Sequence, residues 1–202
     1  MSILSQVQQY YDDKIRAHGP TARGVDWKSA ESQELRFAQL LKLIDREQAF
    51  SVNDFGCGYG ALIDYLEQGP YRFQYVGFDI SAEMLAKAGE LHPQVDFVND
   101  REQLQPADYT LASGIFNVKL QTTDEDWKQY MLDVLETMNS LSLKGFAFNA
   151  LTKYSDAEFM RPDLYYADPL FFFDHCKIRY SKYVTLLHDY PLYEFTIIVR
   201  KE

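Results

Sequence analysis

The sequence predicts an α/β fold: one seven-stranded, mostly parallel sheet with an antiparallel last strand and helices on both faces. Three observations predict it. From Ala49 onward, short apolar runs alternate with helical stretches, the pattern of βαβ units whose helices cover a parallel sheet. A glycine-rich turn, Gly56-Cys57-Gly58-Tyr59-Gly60, joins the first of these strands to the helix after it. The last two strands are separated only by Tyr190-Pro191-Leu192, too short for a crossover, so they must pair antiparallel.

Two helices open the chain, Ser5 to His18 and Ala30 to Glu47, divided by the polar, glycine-containing His18 to Gly24. In the second, Leu35, Phe37, Leu40, Leu41 and Ile44 recur at roughly helical spacing behind a capping Ser29. Strands follow at Ser51 to Phe55, Phe73 to Phe78, Val95 to Val98, Tyr109 to Ala112, Gly145 to Ala150, Tyr180 to Leu187 and Tyr193 to Val199. Between them lie helices at Ala61 to Glu67, Ala82 to Glu90 and Asp124 to Leu141, with a short turn near Arg101 to Leu104. Lys153 to Pro169 has no regular pattern and reads as a functional or lid-like loop.

At 202 residues and 47% apolar, the chain suits a single domain over residues 1–202, with residues 1–29 as an N-terminal lid. A net charge of −10 makes nucleic acid an unlikely partner, because phosphate recognition draws on basic surface. The run Lys177-Ile178-Arg179-Tyr180-Ser181-Lys182 is basic, but it alternates along an expected strand and reads as one solvated face. Nothing at Met1 to Gln6 resembles a signal peptide and no later run is long enough to span a bilayer, so no membrane is involved and a cytoplasmic location is expected. Cys57 and Cys176 form no metal or disulfide pattern, which leaves two reduced thiols, and no Asp, Glu and His cluster has the spacing of a metal site.

Chemistry concentrates at strand ends. Glycines at 56, 58 and 60 let backbone approach a ligand where amide groups point outward; a tight strand-to-helix turn could also need them for packing alone. Asp79 ends the second strand, where a carboxylate accepts two ribose hydroxyls; alternatively it caps the next helix, a task open to Ser81 as well. Ile80 would then lie against an adenine. The loop is also compatible with GxGxxG/A of dinucleotide-binding enzymes. Asp54, two residues before the first glycine, and Gly60 instead complete DxGxGxG.

That motif, with the closing hairpin, resembles motif I of the class I S-adenosylmethionine (SAM)-dependent methyltransferases, over roughly Ala30 to Arg200. The resemblance implies a Rossmann-like SAM methyltransferase fold, SAM as cofactor and S-adenosylhomocysteine (SAH) as product. It implies that Asp54, Gly56, Cys57, Gly58 and Gly60 surround the amino acid end of SAM, and that Asn99 or Asp100 meets the adenine amino group, unless these residues only form a turn. It also implies that Ser113 and Ile115 flank the methionine part, that Asn117 looks toward the acceptor, and that Arg36 holds the SAM carboxylate, as in ubiquinone-pathway O-methyltransferases. Methyl transfer from a sulfonium needs mainly position and dehydration. A base is needed only where the acceptor must lose a proton, and His188, after the sixth strand, is the candidate, with Tyr166 beside it in a catalytic role. Tyr11, Trp27, Tyr165 and Tyr190, with Tyr10 near the lid, are candidates to line a small organic acceptor, methylated on oxygen or nitrogen. The alternatives are a protein or RNA methyltransferase, or a SAM-binding module without turnover.

Overall fold

The computed structural model describes residues 3–201. It contains helices α1 (Ile3–His18), α2 (Ala30–Leu40), α3 (Ala61–Gln68), α4 (Ala82–Leu91), α5 (Asp124–Ser140) and α6 (Pro169–Arg179). The strands are β1 (Phe50–Phe55), β2 (Phe73–Phe78), β3 (Asp96–Val98), β4 (Ala107–Ala112), β5 (Ser142–Leu151), β6 (Tyr183–Leu187) and β7 (Glu194–Arg200). All seven lie in one sheet, in the order β3-β2-β1-β4-β5-β7-β6. The pairs among β1 to β5 are parallel, and β7 runs antiparallel to both its neighbours, β5 and β6.

Alternation along the strands divides the core between the two faces of the sheet. Phe146, Phe148, Phe195, Ile197 and Val199 pack on one face with Trp127, Met131 and Leu135 of α5 and Phe172 of α6. Their neighbours Ala147 and Ile198 point to the other face, where they meet Leu40 of α2 and Leu62, Ile63 and Leu66 of α3. Helices therefore cover both faces, as the sequence predicts.

Three local expectations are corrected. The second helix stops at Leu40, tightens into a 3₁₀ turn at Leu41–Leu43 and does not reach Glu47. Asp45 ends it by accepting the Glu47 N–H at 3.0 Å, an Asx turn that competes with helical hydrogen bonding. Residues 169–179 form α6, with Asp168 as cap accepting from the Leu170 N–H (3.0 Å) and Pro169 in the first turn. The sixth strand consequently starts at Tyr183, and Lys177 to Lys182 spans a helix end and a turn instead of one strand face. The loop 153–169 leaves β5 and returns beside it: the Lys153 N–H donates to the Ala167 carbonyl at 2.9 Å, and the Ala167 N–H to the Leu151 carbonyl at 2.8 Å.

The segment expected to form a lid comprises α1 and a 3₁₀ turn at Ala22–Val25; Met1 and Ser2 of that expectation lie outside the described residues. It is fastened to α4 by the Ser81 hydroxyl, which donates to buried Asp12, and by an Arg16–Glu83 ion pair.

Candidate active site

The strand exits at the centre of the sheet converge on a cavity of about 90 Å³. Asp54, Gly56, Cys57 and Gly58 from the β1 exit, Asp79 and Ile80 from the β2 exit, and Ser113, Gly114 and Ile115 from the β4 exit all line it. Gly56 has φ 87°, in the left-handed region, and a Cβ there would collide with Ile115 Cγ2, so the loop needs glycine for both backbone and space. Gly60 caps α3 and faces His92; it is not part of the cavity lining.

Two carboxylates stand in this lining, Asp54 buried and Asp79 half-buried. Asp79 binds the glycine loop to α4, its Oδ2 accepting the Gly58 N–H and its Oδ1 the Ser81 N–H, each at 2.9 Å. Burial pushes its carboxyl up to about 6, the two amide hydrogen bonds opposing the shift and the Asp12 charge adding to it. Asp54 accepts from the Tyr75 hydroxyl at 2.6 Å. Burial raises its carboxyl to about 7 against that hydrogen bond, with the Asp79 charge adding to the rise. Burial and the same two acids push the Cys57 thiol up, leaving it a small packing group and not a thiolate.

A second cavity, of about 740 Å³, adjoins the first, and Tyr11, Val25 and Trp27 of the N-terminal segment line both. Its other walls include Asn117, Phe159, Tyr166, Tyr190 and Tyr193. Asn117 is buried and pinned by the Leu151 N–H, which donates to its Oδ1 at 3.1 Å. The Tyr166 hydroxyl accepts from the Arg161 N–H (2.9 Å), and the Tyr190 hydroxyl shares a hydrogen bond with Thr196 (2.9 Å). Trp27 rests on Gly114, whose φ is 78° and whose amide donates to Asn149 Oδ1 at 2.7 Å. A Cβ at Gly114 would strike the indole. Gly114→Ala is therefore expected to cost about 1–3 kcal/mol, from displaced packing and left-handed strain, read as a lower urea midpoint. Unchanged stability would mean that Trp27 does not pack there.

The structure brings together most of the residues expected to share a site, and separates others. Arg36 lines the larger cavity, not the glycine-loop cavity, and the carboxylate it holds is that of Glu194. Its Nε and Nη2 donate to the two Glu194 oxygens at 2.8 and 2.5 Å, its Nη1 donates to the Ser32 carbonyl at 2.6 Å, and the guanidinium lies 3.8 Å from the Trp27 ring. His188 is exposed beside Tyr154 and Phe195 and lines neither cavity. Asn99 and Asp100 are also exposed and outside both linings, and Asp100 caps the following turn by accepting the Glu102 N–H at 3.0 Å. Tyr165 is buried in the core beside α5 and α6, away from the cavity walls. Tyr10 donates to Asp26 Oδ2 at 2.7 Å.

Several lining residues carry no signal in the sequence. Tyr130, which closes the smaller cavity from α5, sits among ordinary helical residues; burial raises its phenol to about 12. Asp26 and Glu194 belong to the larger cavity through contacts made only in three dimensions. Val25, two residues from Trp27 and at the end of a short turn, could have been found by extending the reading of the lid. Among the described residues no group of three or more His, Cys, Asp or Glu side chains could hold a metal ion, and no helix is long and apolar enough to cross a membrane.

A glycine loop behind β1, an acid behind β2 and an antiparallel β7 inserted before the edge strand together describe a methyltransferase domain of the Rossmann-like class. Known proteins agree. Residues 52–140 match the family model described as a methyltransferase domain. A Mycobacterium tuberculosis protein named "Putative methyltransferase Rv1506c" is 50% identical over 164 residues, which cover 80% of this chain and 99% of that protein. Among solved structures, the SAM-bound magnesium protoporphyrin IX methyltransferase of Synechocystis PCC 6803 is similar with a TM-score of 0.66 and 15% identity, over 98% of each chain. The SAH-bound N-methyltransferase NodS of Bradyrhizobium japonicum WM9 gives 0.65 and 14%, over 96% of this chain and 97% of that one. At these identities the structural likeness speaks for the fold. The chain belongs to the class I SAM-dependent methyltransferase family.

Proposed function

We propose that this methyltransferase transfers the methyl group to a small organic acceptor, on oxygen or nitrogen, held in the 740 Å³ cavity while SAM occupies the glycine-loop cavity. The observation that carries this reading is that Tyr11, Val25 and Trp27 line both cavities, so that the two are neighbours and a donor in one lies beside an acceptor in the other. The larger volume falls in the range of small-molecule sites and is bounded mainly by aromatic and aliphatic side chains.

The smaller cavity fits the cofactor in charge. Asp54 is buried and Asp79 half-buried, and neither has a cationic partner among the described residues: their hydrogen bonds come from a phenol and from backbone amides. SAM supplies positive charge together with ribose hydroxyls, and its methyl is carried on a sulfonium. In this reading Asp79 accepts from the ribose, Ile80 covers the adenine, and Gly56 and Gly58 leave room for the chain to pass close. Trp27 and Tyr11 keep water from the reacting atoms, and Asn117 orients the acceptor.

Calorimetry with SAH tests the cofactor half of this reading, and it carries a pH signature. Both carboxyls are raised above the ordinary aspartate range, to about 7 and about 6, and a bound ligand that favours their ionised forms must expel their protons. SAH is therefore expected to bind more tightly as pH rises through this window, with proton release visible as a dependence of the heat on buffer. Failure of folded protein to bind SAM or SAH at high micromolar concentration would refute it. For the acceptor half, methyl label from SAM in a cell extract should enter the small-molecule fraction; label only in protein or RNA would overturn it.

A further inference from the structure

The charges around the larger cavity, Lys28 excepted, are matched pair by pair. Asp26 meets Lys14 at 2.5 Å, Arg36 meets Glu194 at 2.5 Å, and Arg161 is forked on Asp163. Lys28, which is exposed, is the lining charge without an acidic partner among the described residues. A charged acceptor entering here would lose hydration against a lining whose one unpaired charge among the described residues is the exposed, water-screened Lys28. A neutral one bears no such cost.

Neutral does not mean apolar, because hydrogen-bonding capacity is left over. The two Asp26 oxygens each accept one bond, from Tyr10 and Lys14, and a carboxylate has lone pairs for more. Asp26 is held in the left-handed region at φ 61° as the C-cap of the 3₁₀ turn at Ala22–Val25, a conformation that Asp tolerates better than most residues. In the same lining Asn117 accepts the Leu151 N–H through Oδ1, while its Nδ2 donor has no partner among the described residues. Asn117 also lies two residues beyond Ile115, which lines the cofactor cavity, so it is a polar group of this wall close in the chain to the donor. The lining thus offers an acceptor at Asp26 and a donor at Asn117 together with the aromatic rings of Tyr11, Trp27, Tyr166 and Tyr190.

We propose that the methyl acceptor is a neutral ring bearing hydroxyl groups, its face against the aromatic wall, with one hydroxyl donating to Asp26 and another polar atom accepting from Asn117. This rests on the reading of the larger cavity as the acceptor site. Phenols and sugars share the chemistry, and a test with one of each tells them apart.

The test uses the SAH-loaded protein and ligand-observed saturation-transfer NMR with four probes. Tyrosol is neutral, tyramine is its cationic analogue, para-hydroxyphenylacetate its anionic analogue, and methyl glucoside is a neutral sugar. At least one neutral probe is expected to bind about tenfold more tightly than both charged ones, and the better of tyrosol and methyl glucoside identifies the ring. Asp26→Asn leaves Lys14 unmatched and should move the preference toward para-hydroxyphenylacetate. Lys14→Met leaves Asp26 unmatched and should move it toward tyramine. SAH affinity and melting temperature verify that each variant is folded, and either variant suffices. A charged probe that matches the neutral ones on the unmodified protein, or an order unchanged in a folded variant, overturns the proposal while leaving the cavity reading intact. No signal from any probe, or a signal that survives cavity-filling Asn117→Trp, overturns the cavity reading and this inference with it.

Discussion

Glu194→Ala is expected to lower the unfolding free energy by about 3–5 kcal/mol, a large fraction of what holds a domain of this size together. Glu194 is 1% exposed and Arg36 7%, so the variant leaves a guanidinium buried and unmatched. The loss also loosens Trp27, whose indole lines both cavities, because the same guanidinium lies against its ring. Replacing both partners, as Arg36→Met with Glu194→Leu, should recover most of the stability, since removing both charges also removes the cost of drying them. Urea denaturation of the two single variants and the double gives the coupling directly. A single-variant cost below about 1 kcal/mol would be the behaviour of a surface pair, and would mean that the pair is solvated in solution.

The Arg36 side chain also shows what can and cannot be read from a chain. Its place on the helix before β1 is a local property and was legible; its partner is 158 residues away and was not. The glycine loop and Asp79 were legible for the same reason: both sit at strand ends marked by a change of hydrophobic period, and the loop glycines announce themselves by type. Strand ends alone mislead when the strand order is hidden. His188 follows β6 and Asp100 follows β3, and these are the two edges of the sheet, whereas the glycine-loop cavity opens at the centre, over β1 and β4. Helix α6 was lost for another reason. Its start signal, Asp168-Pro169, runs into Leu170-Phe171-Phe172-Phe173, a continuous apolar run in which only Phe172 and then Cys176 are buried beyond the first turn. An unbroken run gives no helical period, so the four-residue spacing of the buried pair could not be seen.

Asp79→Asn is expected to separate stability from cofactor binding. A carboxyl raised to about 6 in the folded chain, from the ordinary 3.8, makes folding take up a proton. Its contribution to stability therefore falls as pH rises from the unfolded value through the folded one, a loss on the order of 3 kcal/mol once both states are ionised. Asparagine does not titrate, so the variant should gain stability relative to the unmodified protein on going from about pH 4 to about pH 8, by an amount of that order. Part of the gain is offset, since a single amide oxygen must serve where two carboxylate oxygens now accept from Gly58 and Ser81. Binding should move the other way. If Asp79 accepts ribose hydroxyls, losing a charged acceptor costs about 1.5–3 kcal/mol per bond, so two bonds weaken SAH affinity by about a hundredfold or more. Urea denaturation at the two pH values and calorimetry with SAH separate the claims. Parallel stability curves would mean the carboxylate is solvated, and undiminished SAH affinity would mean it does not meet the ribose. A half-buried carboxylate beside a cavity, at a cost to the fold that rises with pH, is difficult to explain by packing and simple to explain by a ligand that makes use of its charge.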